Sequence, residues 1–249
     1  MRWRSAILLI VLSLLSRAVI AQFAPTPLDA RSGAMGGCFM ADADRRSVDI
    51  SYRQGFALAG MADKRLSLLW PTGEAGLATA TYMHHGNLDY HEQQAAFGYA
   101  LCPMEWLLVG VGGKWLNVGT SDPYYTPQHW LAATAYMQAS LSRTRLAMLV
   151  GTRPWDAKRL YRLHMQAQYA VRNNLLTVVE LELEECARMR MGMEYDFENR
   201  LFFRAGISTA PLVATFGLGI RHHYFNIDLG AETHQTLGVT PHTSIKICF

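Results

Sequence analysis

The chain repeatedly alternates apolar and polar side chains with a period of two, in runs of about ten residues broken by short polar turns. In Arg162–Tyr169, Leu163, Met165, Ala167 and Tyr169 share one face, opposite Arg162, His164, Gln166 and Gln168. Val179, Leu181 and Leu183 then oppose Glu180, Glu182 and Glu184. Met189, Met191, Met193 and Tyr195 oppose Arg188, Arg190, Gly192 and Glu194, and Phe225, Ile227, Leu229 and Ala231 oppose Asn226, Asp228, Gly230 and Glu232. The last run sets Ile245, Ile247 and Phe249 against Ser244, Lys246 and Cys248. Such a chain is all-β. Two architectures alternate in this way: a soluble sandwich with its apolar face in the core, and a membrane barrel with its apolar face toward lipid.

Three features favour the barrel. The faces opposite the apolar residues combine charges with glycines (Gly110, Gly112, Gly192, Gly206, Gly217, Gly219), as a tight lumen requires. Aromatics, among them Trp70, Tyr82, Trp106, Trp115, Trp130, Trp155 and Tyr224, gather near strand ends, where interfacial girdles lie. The chain also ends on Phe249 within an alternating run, which resembles the signal read by the assembly machinery of outer-membrane barrels. The expected fold is therefore an antiparallel transmembrane β-barrel.

Fourteen strands are expected, near residues 50–60, 64–70, 75–84, 90–102, 105–117, 128–141, 144–154, 160–170, 174–184, 188–196, 200–208, 212–221, 224–233 and 242–249. Twelve result if residues 50–70 belong to a plug. With both ends of the barrel chain on the periplasmic side, that side receives short turns. The opposite side receives the two longest connections, Val118–Pro127 and His234–Pro241.

Residues 1–21 read as a cleavable export signal. Arg2 and Arg4 precede the apolar Ala6–Leu15, and Val19-Ile20-Ala21 precedes Gln22. The apolar run is too short to span a bilayer, and Gln22 in place of cysteine excludes a lipoprotein signal. Residues 22–49 are expected to form a periplasmic or plug segment and residues 50–249 the barrel. Three of the 23 basic residues (Arg2, Arg4, Arg17) fall in the signal, which holds no acid, so the remainder balances at 20 against 20. That balance excludes a nucleic-acid footprint. Cys38, Cys102, Cys186 and Cys248 match neither a zinc ribbon nor a CxxC motif, and read as isolated small apolar side chains.

Leu28-Asp29-Ala30-Arg31-Ser32-Gly33-Ala34-Met35-Gly36-Gly37-Cys38, followed by Asp42–Asp44 and Ser47-Val48, resembles the N-terminal region of the FadL/PorV-like outer-membrane barrels. The closing Thr236-Leu237-Gly238-Val239-Thr240-Pro241-His242 and Phe249 look like that group's last strand. The sequence departs at Tyr52–Ala57, where the group usually carries an Asn-Pro-Ala-Gly-like element. The resemblance implies about fourteen strands and a role between uptake of hydrophobic molecules and support of protein secretion. The implied partners are outer-membrane lipid, the barrel assembly machinery and, in the second role, secretion components.

The sharpest polar feature is Glu180, Glu182, Glu184, Arg188 and Arg190, which period two places on one face. A turn at Glu185–Ala187 would set Glu184 across from Arg188 and Glu182 across from Arg190, leaving only Glu180 without a partner. This reads as an ion-pair ladder filling a narrow lumen in preference to a ligand site. His242-Thr243-Ser244 resembles the His-x-Ser spacing of an outer-membrane phospholipase, but Ser244 shares parity with Lys246, away from lipid. Adjacent histidines (His84-His85, His222-His223) point to opposite faces and cannot chelate as pairs. Gly110-Val111-Gly112-Gly113 lacks the context of a phosphate loop and reads as close backbone packing. The expectation is a non-enzymatic outer-membrane barrel without cofactor or metal. It passes a small or hydrophobic molecule, or supports secretion as an adaptor with a filled lumen.

Overall fold

The computed structural model describes residues 29–38, 45–58, 60–73, 76–122, 124–154, 161–184 and 186–249. The expected signal, Leu28, Asp42–Asp44 and Trp155 lie outside them. Fourteen antiparallel strands pair in sequence order, and β1 closes the ring by pairing with β14. They are β1 (Ser47–Gln54), β2 (Ala62–Pro71), β3 (Leu77–Gly86), β4 (Tyr90–Met104), β5 (Leu107–Thr120), β6 (Gln128–Leu141), β7 (Thr144–Thr152), β8 (Tyr161–Arg172), β9 (Leu175–Leu183), β10 (Ala187–Phe197), β11 (Leu201–Ser208), β12 (Val213–Arg221), β13 (Phe225–His234) and β14 (Gly238–Cys248). A closed ring leaves no unpaired edge, which a chain surrounded by hydrocarbon requires.

The alternation decides which side chain goes where. On the outer face Leu131, Phe97 and Val111 are 78%, 70% and 69% exposed. Leu66, Phe216, Leu218 and Ile245 stand out beside them. A continuous apolar girdle of this extent is incompatible with water. On the inner face Glu180, Glu182, Arg190, Glu194, Arg204 and Asp228 are buried. This inversion rules out the sandwich.

The first and last strands differ most from expectation. The first strand begins at Ser47, inside the segment read as plug, because Ser47 pairs with both Cys248 and Leu69. It ends at Gln54, where Gly55–Ala57 turn into a 3-10 helix and Gly55 N–H donates to Met61 O at 2.7 Å. The last strand starts at Gly238 and takes in Pro241, which faces Ala231. The β1–β14 ladder stops at Arg53↔His242, so Pro241 lies beyond it, where a missing N–H costs nothing. The connection expected at His234–Pro241 shrinks to residues 235–237. At the end carrying the chain termini the remaining connections are short, and the longer ones, 121–127 and 153–160, lie at the opposite end.

Candidate functional site

The inner wall divides into two halves. Across β8–β10 the ladder forms, with a register two residues away from the expected one. Leu183 pairs with Ala187, so Arg188 faces Glu182 and Arg190 faces Glu180. The turn takes up Glu184–Cys186, so Glu184 falls at its start instead of in the ladder. Parity is unchanged, since a shift of two keeps every side chain on its face. Arg190 forks between Glu180 Oε1 (2.7 Å) and Glu182 Oε2 (2.5 Å). Arg188 reaches Glu182 at 3.2 Å. Glu180, expected to be unpartnered, also meets His164 Nδ1 at 3.0 Å. Glu184 turns instead to Arg153 (3.3 Å) and Arg162 (3.9 Å), residues the sequence reading did not single out.

Across β10–β14 a plug fills that side of the lumen. Asp29 caps the five-residue helix α1 (Ala30–Ala34): its carboxylate accepts Ser32 N–H at 2.7 Å, and the Ser32 hydroxyl accepts Asp29 N–H at 3.0 Å. The inner glycines make room for it. A Cβ on Gly192 would lie 2.6 Å from Met35 O, and one on Gly206 would lie 2.5 Å from Met35 C. Thr215 stitches the turn down, donating to Ala34 O at 2.8 Å and accepting from Gly36 N–H at 2.9 Å. Arg31 anchors the plug through Glu194 at 2.7 Å, and Arg204 bridges Glu194 and Asp228, each at 2.6 Å. Met35 and Cys38 pack on Val178, and burial pushes the Cys38 thiol pKa up, which leaves it protonated and inert. All four cysteines are free thiols.

Above the plug, Arg53 joins Asp63 (3.0 Å), Glu232 (2.9 Å) and His242 (3.0 Å), and His85 meets Asp63 at 2.6 Å. Ser244 is buried and accepts the Ala30 N–H at 3.2 Å. The His242-Thr243-Ser244 spacing thus serves the plug. Among the described residues no cluster of three or more His, Cys, Asp or Glu is placed to hold a metal.

The other half of the wall, β1–β7, stays open. Many of its inward positions are small or apolar: Thr79, Thr81, Ala96, Gly98, Gly110 and Gly112 line a cavity of about 330 Å3 with Leu77, Met83, Leu108, Tyr136 and Leu149. That volume is at the lower end of small-molecule sites. Asp49, Arg65, Gln94, Lys114 and Lys246 line it as well and bring charge and polarity to part of its wall. Toward the end opposite the termini the same wall carries Leu116, Val118, Trp130 and Ala132 as an apolar inner cluster. Trp130, expected in the outer girdle, belongs to this lumen cluster because its register partner Leu116 faces inward. Phe249 lies just past β14, 61% exposed on the outer face, with its N–H donating to Arg46 O at 3.1 Å and its ring edge-on to Trp70.

Three solved channels share this fold. The CymD monoaromatic hydrocarbon channel superposes with a TM-score of 0.67 at 10% identity, over 91% of this chain and 99% of that one. The Ralstonia pickettii toluene transporter TbuX gives 0.65 at 11% identity, over 91% of this chain and all (100%) of that one. The TodX deltaS2S3 mutant monoaromatic hydrocarbon channel gives 0.60 at 11% identity, over 88% and 97%. The fold is that of these channels. It agrees with the barrel of about fourteen strands implied by the FadL/PorV resemblance. No family model and no curated protein matches the sequence.

Proposed function

We propose that the protein is a non-enzymatic outer-membrane channel that passes a small hydrophobic molecule. One observation carries the reading: an apolar, glycine-lined cavity lies beside the plug in a barrel whose outer face is apolar all round. The hydrocarbon-channel fold supports it. The chain reaches the outer membrane through a signal cleaved after Ala21, with Phe249 read by the barrel assembly machinery. Support of protein secretion would be served best by a filled lumen, and the open half of the wall favours passage.

The test is uptake of labelled toluene at low concentration by cells expressing the protein. Ala96→Phe projects a ring into the cavity from mid-strand. It is expected to lower the protein-dependent uptake at least severalfold, with heat-modifiable electrophoretic migration unchanged. Uptake equal to that of cells lacking the protein, or an assembled Ala96→Phe variant as fast as the parent, would overturn the reading.

A further inference from the structure

At the end carrying the chain termini, a second cavity of about 500 Å3 opens into the lumen. Arg45 borders it ahead of β1, Arg172 at the end of β8 and Arg221 at the end of β12, with amides from Asn173, Asn174 and Asn226. Its chemistry is opposite to that of the apolar cavity. Two carboxylates line it, and one of them, Glu194, is already matched by Arg31 and Arg204. The other, Asp196, accepts the Asn199 N–H at 2.7 Å.

Among the described residues, Arg45, Arg172 and Arg221 have no carboxylate within ion-pair distance. Arg221 is held by an aromatic face instead, its guanidinium 4.2 Å from the centre of the Phe202 ring. Lys246 adds a fourth cation where this vestibule meets the apolar cavity, facing Asp49 and Asn226 in register. Cations gathered in one concave mouth repel one another and focus a positive potential into it. Such an arrangement is stable when a counter-anion shares the space.

We propose that this vestibule binds a small oxyanion of the phosphate type carrying at least two negative charges. The charge follows from the imbalance: with Lys246 set against Asp49, three arginines still face one unmatched carboxylate, Asp196. The phosphate type follows from the directions of approach. Guanidinium forks from three separate strands or strand ends, with amide donors between them, need acceptor oxygens pointing several ways. A tetrahedral oxyanion offers these, and a planar carboxylate does not. The ligand is either a free phosphate compound or a lipid headgroup. The inference stands apart from hydrocarbon passage, since it uses a different cavity and different residues.

The test is calorimetric titration of pyrophosphate into the full-length protein in uncharged detergent micelles at low salt. Binding weakened by added salt is expected, and Arg172→Gln with Arg221→Gln should weaken it about tenfold or more. Arg143→Gln, at the same end but outside the cavity, should leave it unchanged. Asp196→Asn removes the opposing charge and should tighten it. In a second arm, micelles doped with phosphatidic acid compete with pyrophosphate. Competition that depends on Arg172 and Arg221 assigns the site to a headgroup, and its absence assigns it to a free phosphate compound. No binding of either probe, or equal binding by the double variant, would overturn the proposal. Should the double variant not assemble, an Asp196→Asn variant binding no tighter than the parent would do the same.

Discussion

Removing Arg190 should cost far more than removing its neighbour Arg188. Both guanidiniums reach into the ladder, but their surroundings differ. The Arg190 side chain is 7% exposed and spans Glu180 and Glu182, each 1% exposed, at 2.7 and 2.5 Å. Arg188 is 29% exposed, contacts only Glu182, at 3.2 Å, and shares its Nε with Ala210 O. Breaking a buried pair by deleting one partner strands the other and costs about 3–5 kcal/mol. An exposed pair is worth about 0–1 kcal/mol. Arg190→Met should therefore lose several kcal/mol in urea titrations of protein refolded into lipid vesicles, and Arg188→Ala about 1 kcal/mol or less. Adding Glu180→Gln and Glu182→Gln to Arg190→Met discharges the stranded carboxylates and should restore most of the loss. Planar-bilayer recordings should show raised cation passage in Arg190→Met alone, where Glu180 and Glu182 keep His164 and Arg188 beside them but leave excess negative charge facing the lumen. Equal losses for the two arginines, or a triple variant no better than Arg190→Met, would refute the reasoning.

Gly206→Val should expel the plug while leaving the barrel closed, because its side chain would meet Met35 backbone that cannot swing aside; Gly113→Val, with nothing within 4 Å, should be silent. Protease accessibility at Arg31 distinguishes the two. Deleting Phe249 should reduce the heat-modifiable, assembled fraction severalfold, whereas Cys248→Ser, on a strand position of opposite parity, should not.

What the sequence disclosed and what it withheld divide along a physical line. Face assignment depends on parity alone, so Glu180, Glu182, Arg188 and Arg190 could be placed inward, and Phe249 outward, without knowing any neighbour. Register depends on where each turn closes, and a three-residue turn slid by one position along the chain keeps every face while moving each pairing by two. Hence Glu184 was set against Arg188 when the chain pairs Glu182 there. Strand ends were misjudged where Gly55 and Pro241 interrupt the pattern, since one ends a strand and the other is tolerated inside one. The Arg53–Asp63–Glu232–His242 network joins residues up to 189 positions apart, and only barrel closure through β1 and β14 makes them neighbours. The capping pair Asp29 and Ser32 was a readable signal for α1 within the segment assigned to the plug.

Why the plug lies against β10–β13 and leaves β1–β7 open follows from how registers align the inner glycines. Gly192 pairs with Gly206, and Gly206 with Thr215, so three neighbouring strands present a trough one side chain deep. One level away Gly217 pairs with Gly230, which continues the trough under Ala30 and Ala34. Around it stand Glu194, Arg204 and Asp228, which supply the anchor for Arg31. On β4 and β5 glycines also align, Gly98 with Gly112, but the wall there carries Arg65 and Lys114, which would meet Arg31 with like charge where β10 offers Glu194. Backbone shape alone would suit a plug in either place; the charges select one. The glycine row left unoccupied is then free to border the apolar cavity, so the residues that seat the plug also decide which side of the lumen stays open.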